Sequence, residues 1–144
     1  MGLIKKLANS EIFLDTAPLI YFIEEHPKYS PVLDELFLSN DHFFRFSTSV
    51  ITLAEVLVLP LREGKIHLAQ KYETILVNSD SVTLLEINAQ IAKTTAQLRA
   101  DYNLRTPDAV QIASGIYSNA DYFLTNDKKL KSIKEIKVIT LDDL

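Results

Sequence analysis

The chain has 144 residues, no cysteine, three histidines and a net charge of −4 at neutral pH. Those counts exclude a disulfide framework, a thiolate metal site and any bulk electrostatic attraction to nucleic acid. Apolar residues make up 47% and charged residues 24% of it, with three glycines and five prolines, the balance of one globular domain able to fold alone.

The start, Met1-Gly-Leu-Ile-Lys-Lys-Leu-Ala, is too short for the apolar core of a signal peptide. Every apolar run falls well below the roughly twenty residues needed to cross a bilayer, so a cytoplasmic setting is expected. Glu11 to Asp15 reads as a short buried strand. Asp15-Thr16-Ala17-Pro18 then offers capping side chains and an early proline for a helix bearing Leu19, Ile20, Phe22 and Ile23, which His26-Pro27 breaks. Ser30-Pro31 repeats that start for a helix through Leu33, Leu36 and Phe37 to about Asn40.

A second strand is expected over His42 to Phe46, with Ser47-Thr48-Ser49 capping a helix that contains Ile51, Leu53, Glu55 and Leu57 and ends or kinks at Pro60. An amphipathic helix follows from Ile66 to Val77, then a third strand from Val82 to Leu85. Asn88 caps a long helix in which Ile91, Thr95, Leu98 and Tyr102 recur at helical spacing, and Asn103 suits a left-handed stop. Thr106-Pro107-Asp108 opens another helix, Tyr122 to Thr125 is a fourth strand, Asn126-Asp127 begins a short turn through Leu130, and Val138 to Thr140 is the last strand. Short apolar strands alternating with helices predict a three-layer α/β/α sandwich around a mainly parallel sheet, with no repeat or linker.

In such a sheet ligands sit beyond the carboxyl ends of the strands. Asp15 follows the first strand and Asp127 the fourth, while Glu55 and Asp108 stand near the starts of helices whose amino ends face the same rim. Ionised carboxylates repel one another when gathered, and a divalent cation removes that penalty. Oxygen donors without cysteine or clustered histidine favour Mg²⁺ or Mn²⁺ over zinc, and such an ion suits phosphodiester hydrolysis. His26, His42 and His67 lie in separate segments without metal-ligand spacing and read as structural or surface residues. Asp15 and Asp108 are equally good helix-start residues, Glu55 suits a solvent face and Asp127 a turn cap. Periodicity alone therefore leaves metal site and ordinary caps at even weight.

Four stretches carry a resemblance: Phe13-Leu14-Asp15-Thr16 with Leu19-Ile20, Thr48 to Glu55, Leu104 to Ala113, and Phe123 to Asp127. In order and approximate spacing they resemble PIN-domain proteins, with closest likeness to the VapC-type toxins of prokaryotic toxin–antitoxin pairs. The likeness extends from Glu11 to the end. It implies Mg²⁺ or Mn²⁺ held by Asp15, Glu55, Asp108 and Asp127, with Thr125 orienting a carboxylate or a water. It further implies endonucleolytic cleavage of RNA, a cognate antitoxin protein and a homodimer. A PIN module that binds RNA or protein without cutting is the alternative, and loss of one of the acids would be its mark. Leu130 departs from the family, where an aromatic residue often follows the last acid. A receiver domain would need an acidic pair after the first strand, and a haloacid-dehalogenase-type phosphatase a second aspartate where Ala17 stands.

Lys128, Lys129, Lys131, Lys134 and Lys137 follow Asp127 and are candidate phosphate contacts, as are Arg99 and Arg105 before Asp108. The apolar residues Leu33, Leu36, Phe37 and Leu57 to Leu61 offer surface for a partner.

Overall fold

The computed structural model describes residues 2–39 and 43–144. The elements run α1 (Gly2–Lys6), β1 (Glu11–Leu14), α2 (Thr16–Ile23), α3 (Ser30–Leu38), β2 (Arg45–Ser49), α4 (Val50–Arg62), α5 (Ile66–Val77), β3 (Val82–Leu85), α6 (Ala89–Asp101), α7 (Thr106–Tyr117), β4 (Tyr122–Thr125) and β5 (Lys137–Thr140). Two 3₁₀ turns, Lys128–Ser132 and Leu141–Asp143, flank β5. The five strands pair in the order β3-β2-β1-β4-β5, every pair parallel.

Parallel strands covered on both faces should be apolar on both sides of the pleat. In β1, Ile12 and Leu14 point into an apolar cluster shared with residues of α1 to α5, whereas Phe13 points into the opposite cluster with α6 and α7. Leu124 and Phe123 of β4 divide in the same way. Phe13 and Phe123 are register partners, and their rings stack with centroids 5.6 Å apart. Truncating either buried ring to alanine should cost about 3–5 kcal/mol. The result is the α/β/α sandwich that strand and helix alternation predicts. No helix among the described residues is long and apolar enough to cross a membrane.

Local structure departs from sequence expectation at five places. The strand β2 extends through Ser47, Thr48 and Ser49, and Ser49 alone caps α4 by accepting from the Ile51 amide at 3.1 Å. Three hydroxyl residues look like loop and cap. Here they occupy a central strand, where the side chains of Thr48 and Ser49 find partners inside the fold. The expected strand start at His42 and helix end at Asn40 lie outside the described residues. The helix α4 runs two residues past Pro60, whose missing N–H falls in the final turn. The helix α6 ends without a left-handed residue at Asn103. Tyr102 leaves it extended at φ −129°, its hydroxyl donating to Glu135 at 2.7 Å, and the Arg99 Nε–H ties down the Leu104 carbonyl at 3.1 Å. The short helix α1 had no reading in the sequence, yet it seats buried Ile4. Leu33 and Leu36 are core residues and not partner surface.

Candidate functional site at the carboxyl edge of the sheet

The strand order reverses between β1 and β4, so a crevice opens beyond their carboxyl ends. Asp15 extends the β1 ladder by donating its amide to the Leu124 carbonyl at 2.9 Å. One of its carboxylate oxygens accepts the Thr16 amide and the other the Thr125 hydroxyl, both at 2.8 Å. Thr125 closes β4 and in turn accepts the Asp127 amide at 3.1 Å. Asp127 caps the 3₁₀ turn that follows by accepting from Lys129 at 3.0 Å.

The other two acids arrive on helices. Glu55 sits one turn and a half into α4, where the Thr16 hydroxyl donates to it at 2.6 Å. Asp108 lies in the first turn of α7, where the helix dipole favours a negative charge, and it accepts from Arg105 Nε at 3.1 Å. All four carboxylates, with Arg105 and Thr125, line one open cleft of about 500 Å³. The positions named from the sequence are thus brought together, coming from four separate segments.

Electrostatics agree with that crowding. Burial raises the Asp15 pKa above its usual range, and the neighbouring Asp108 charge pushes the same way, against the bonds from Thr125 and Thr16 that favour the carboxylate. Among the described residues no three acidic or histidine side chains stand close enough to grip one ion unaided. The donor set still fits Mg²⁺ or Mn²⁺, because Mg²⁺ keeps several waters and takes only one or two carboxylates directly. A cation would also relieve the desolvated charge on Asp15.

The basic residues divide. Arg105 is the cation on the cleft, exposed and tied to Asp108. Lys128 and Lys131 pair with Asp142 and Asp143, and Lys137 opens β5 at the opposite edge of the sheet, over the Tyr122 ring. Glu135 to Lys137 share a cleft with Asn119 to Asp121, the residues that precede β4, so this end of the lysine run lies away from the acids. His26 packs against both Tyr21 and Tyr29, and His67 is exposed on α5. Leu130 is buried in the cluster beneath α7, so the absent aromatic ring is replaced by aliphatic packing.

The sequence suggested only helix caps for Thr16 and Ser49 and no role for Thr52 or Gln111, yet these four join the acids from behind. The available signal was spacing: Thr52 lies one helical turn before Glu55, and Gln111 one turn after Asp108.

The sequence model of the PIN domain matches residues 12–136. No curated protein sequence matches the chain. Among solved structures, VapBC2 from Rickettsia felis bound to a promoter DNA fragment is similar with TM-score 0.70 and 22% identity, over 90% of this chain and 98% of that one. A toxin–antitoxin complex from Klebsiella pneumoniae gives 0.66 and 23%, over 90% and 97%. The sarcin–ricin-loop-cleaving toxin VapC20 from Mycobacterium tuberculosis gives 0.68 and 17%, over 88% and 98%.

Proposed function

The chain belongs to the PIN-domain family, and from that premise we propose that it is a divalent-cation-dependent endoribonuclease, the toxin of a toxin–antitoxin pair. The observation that carries this reading is the convergence of Asp15, Glu55, Asp108 and Asp127 on one open cleft at the switch point of the sheet. An RNA substrate is supported by the sarcin–ricin-loop cleavage of one structural neighbour, and an antitoxin partner by neighbours that are toxin–antitoxin complexes. On this reading residues 1–144 act as one nuclease unit, since both apolar clusters share β1 and β4.

The four acids would hold Mg²⁺ or Mn²⁺. Once bound, the cation would neutralise phosphodiester charge and lower the pKa of an attacking water. The chain's own residues do the rest. Thr125 and the Thr16 amide fix both oxygens of Asp15, so its orientation is set before substrate arrives. Thr16 holds one oxygen of Glu55 and leaves the other to the cleft. Arg105 reaches the rim with its guanidinium free to exchange Asp108 for a phosphate once the acids are otherwise neutralised.

Purified protein should cut single-stranded or loop RNA in millimolar Mg²⁺ or Mn²⁺ and lose that activity in excess EDTA. Asp108→Asn should lower the rate at least about a hundredfold. Undiminished cutting in EDTA, or full activity in the variant, would sink the mechanism.

A further inference from the structure

Behind the acids lies a hydrogen-bonded chain of side chains that all donate in one direction. The Ser49 hydroxyl donates to Gln111 Oε1 at 2.5 Å, and Gln111 Nε2 donates to Thr52 Oγ1 at 2.6 Å. Thr16 Oγ1 lies 3.2 Å from Thr52 Oγ1 and 2.6 Å from Glu55 Oε1. A threonine has one proton, and a carboxylate only accepts. Thr16 therefore donates to Glu55, and the proton between the two threonines must come from Thr52.

Thr48 fits the same order: its one proton is directed to Thr52 Oγ1 and to the Leu14 carbonyl, each at 2.8 Å, so Thr52 accepts here and keeps its own proton for Thr16. Ser49, Thr52 and Gln111 are essentially without solvent contact, and among the described residues no buried side-chain nitrogen or oxygen lacks a partner. The Gln111 amide accepts at its oxygen and donates at its nitrogen, and so carries the donor direction from Ser49 to Thr52. If the Gln111 amide were reversed, Thr52 would have to give it the proton that now goes to Thr16, and the bond that fixes the Thr16 oxygen while its own proton points at Glu55 would be lost.

We propose that Gln111 is a positioning residue of the cleft: by setting the donor direction of the Ser49–Gln111–Thr52–Thr16 chain, it holds Glu55 with one oxygen bonded and the other free for a divalent cation. Glu55 needs such a hold because it is exposed on its helix, where a free glutamate would sample several rotamers. The inference rests on the cation-site reading above, and not on RNA being the substrate.

The test measures Mn²⁺ binding by calorimetry, without RNA, on variants shown to be folded by circular dichroism. Gln111→Met and Thr52→Val keep volume and remove the bonds, and each should weaken Mn²⁺ binding about tenfold. Thr52→Ser, which restores the hydroxyl, should bind as wild type does. The double variant should bind no worse than the weaker single one, since one chain can be broken only once. Wild-type affinity in folded Gln111→Met, equal losses in the Val and Ser variants, or additive losses in the double variant would overturn the proposal.

A second measurement covers the case in which Gln111→Met does not fold. Thr16→Val alters a half-buried residue at the far end of the chain and should move the side-chain amide resonances of Gln111 in an NMR spectrum, whereas Thr16→Ser should not. Unmoved resonances in Thr16→Val would overturn the relay. Wild-type protein that binds Mn²⁺ but cuts no RNA would remove the nuclease reading and leave the relay standing. Wild-type protein that binds no Mn²⁺ would remove both.

Discussion

Asp15 serves two demands at once: it caps the entry to α2 and belongs to a crowded acidic cleft. Its pKa is raised above the ordinary 3.8, chiefly by burial, so in the cation-free protein its ionisation opposes folding. That cost is fully present above the folded-state pKa and vanishes as the pH falls below the unfolded value. Asp15→Asn should therefore leave the cation-free protein as stable as wild type or more stable at pH 7, with the difference gone near pH 3. Asparagine still accepts from the Thr16 amide, while Thr125 must turn its hydroxyl to accept from the new NH₂ group. Millimolar Mg²⁺ should stabilise the wild type and not the variant, by about 2.7 kcal/mol at a hundredfold excess over Kd. Thermal melts at both pH values, with EDTA and with Mg²⁺, check this, and a large loss of stability for the variant in EDTA would make Asp15 chiefly a structural cap.

At the scale of the element, the helices whose ends carry their own chemistry follow the sequence most closely. The Asn88 side chain accepts the Ile91 amide at 2.9 Å and starts α6 where its residue type says it should. Asn88→Ala should cost about 1 kcal/mol, a fall in Tm of about 2–4 °C for a chain of this size. An unchanged melting temperature would show that the packing of α6 on α7, and not its cap, decides where the helix begins. The helix α7 is held differently. A Cβ added at Gly115 would meet Phe13 Cβ at 3.4 Å and Ile136 Cδ1 at 3.1 Å, so the absence of a side chain lets α7 approach β1 closely. That approach carries Gln111 within reach of Ser49 and Thr52, linking the packing of one helix to the orientation of the acids.

Across the whole molecule, Val58, Leu59 and Leu61 of α4 and Ile66 at the start of α5 are more than half exposed or close to it. These side chains, rather than Leu33 and Leu36, are the apolar surface on offer to a second copy or an antitoxin. Light scattering at micromolar concentration should give a dimer, and Leu59→Lys with Leu61→Lys should give a folded monomer; a wild-type monomer would count against the dimer. The sequence by itself determined the bounds of α5, β3 and β4 and the starts of α6 and α7, because helical period, caps and short apolar runs act between residues four or fewer apart. It also placed Asp15 and Asp127 at strand ends, and so the rim where they meet. Tertiary structure alone decided that Ser47 to Ser49 complete a strand with Ser49 alone as the cap, that among the described residues Arg105 and no lysine lines the acidic cleft, and that Gln111 belongs to the site. The hydroxyls of Thr48 and Ser49 find their partners 34 and 62 residues away. Contacts at such separations depend on strand order and on how closely a helix approaches the sheet, and neither quantity is written in any local pattern of residues.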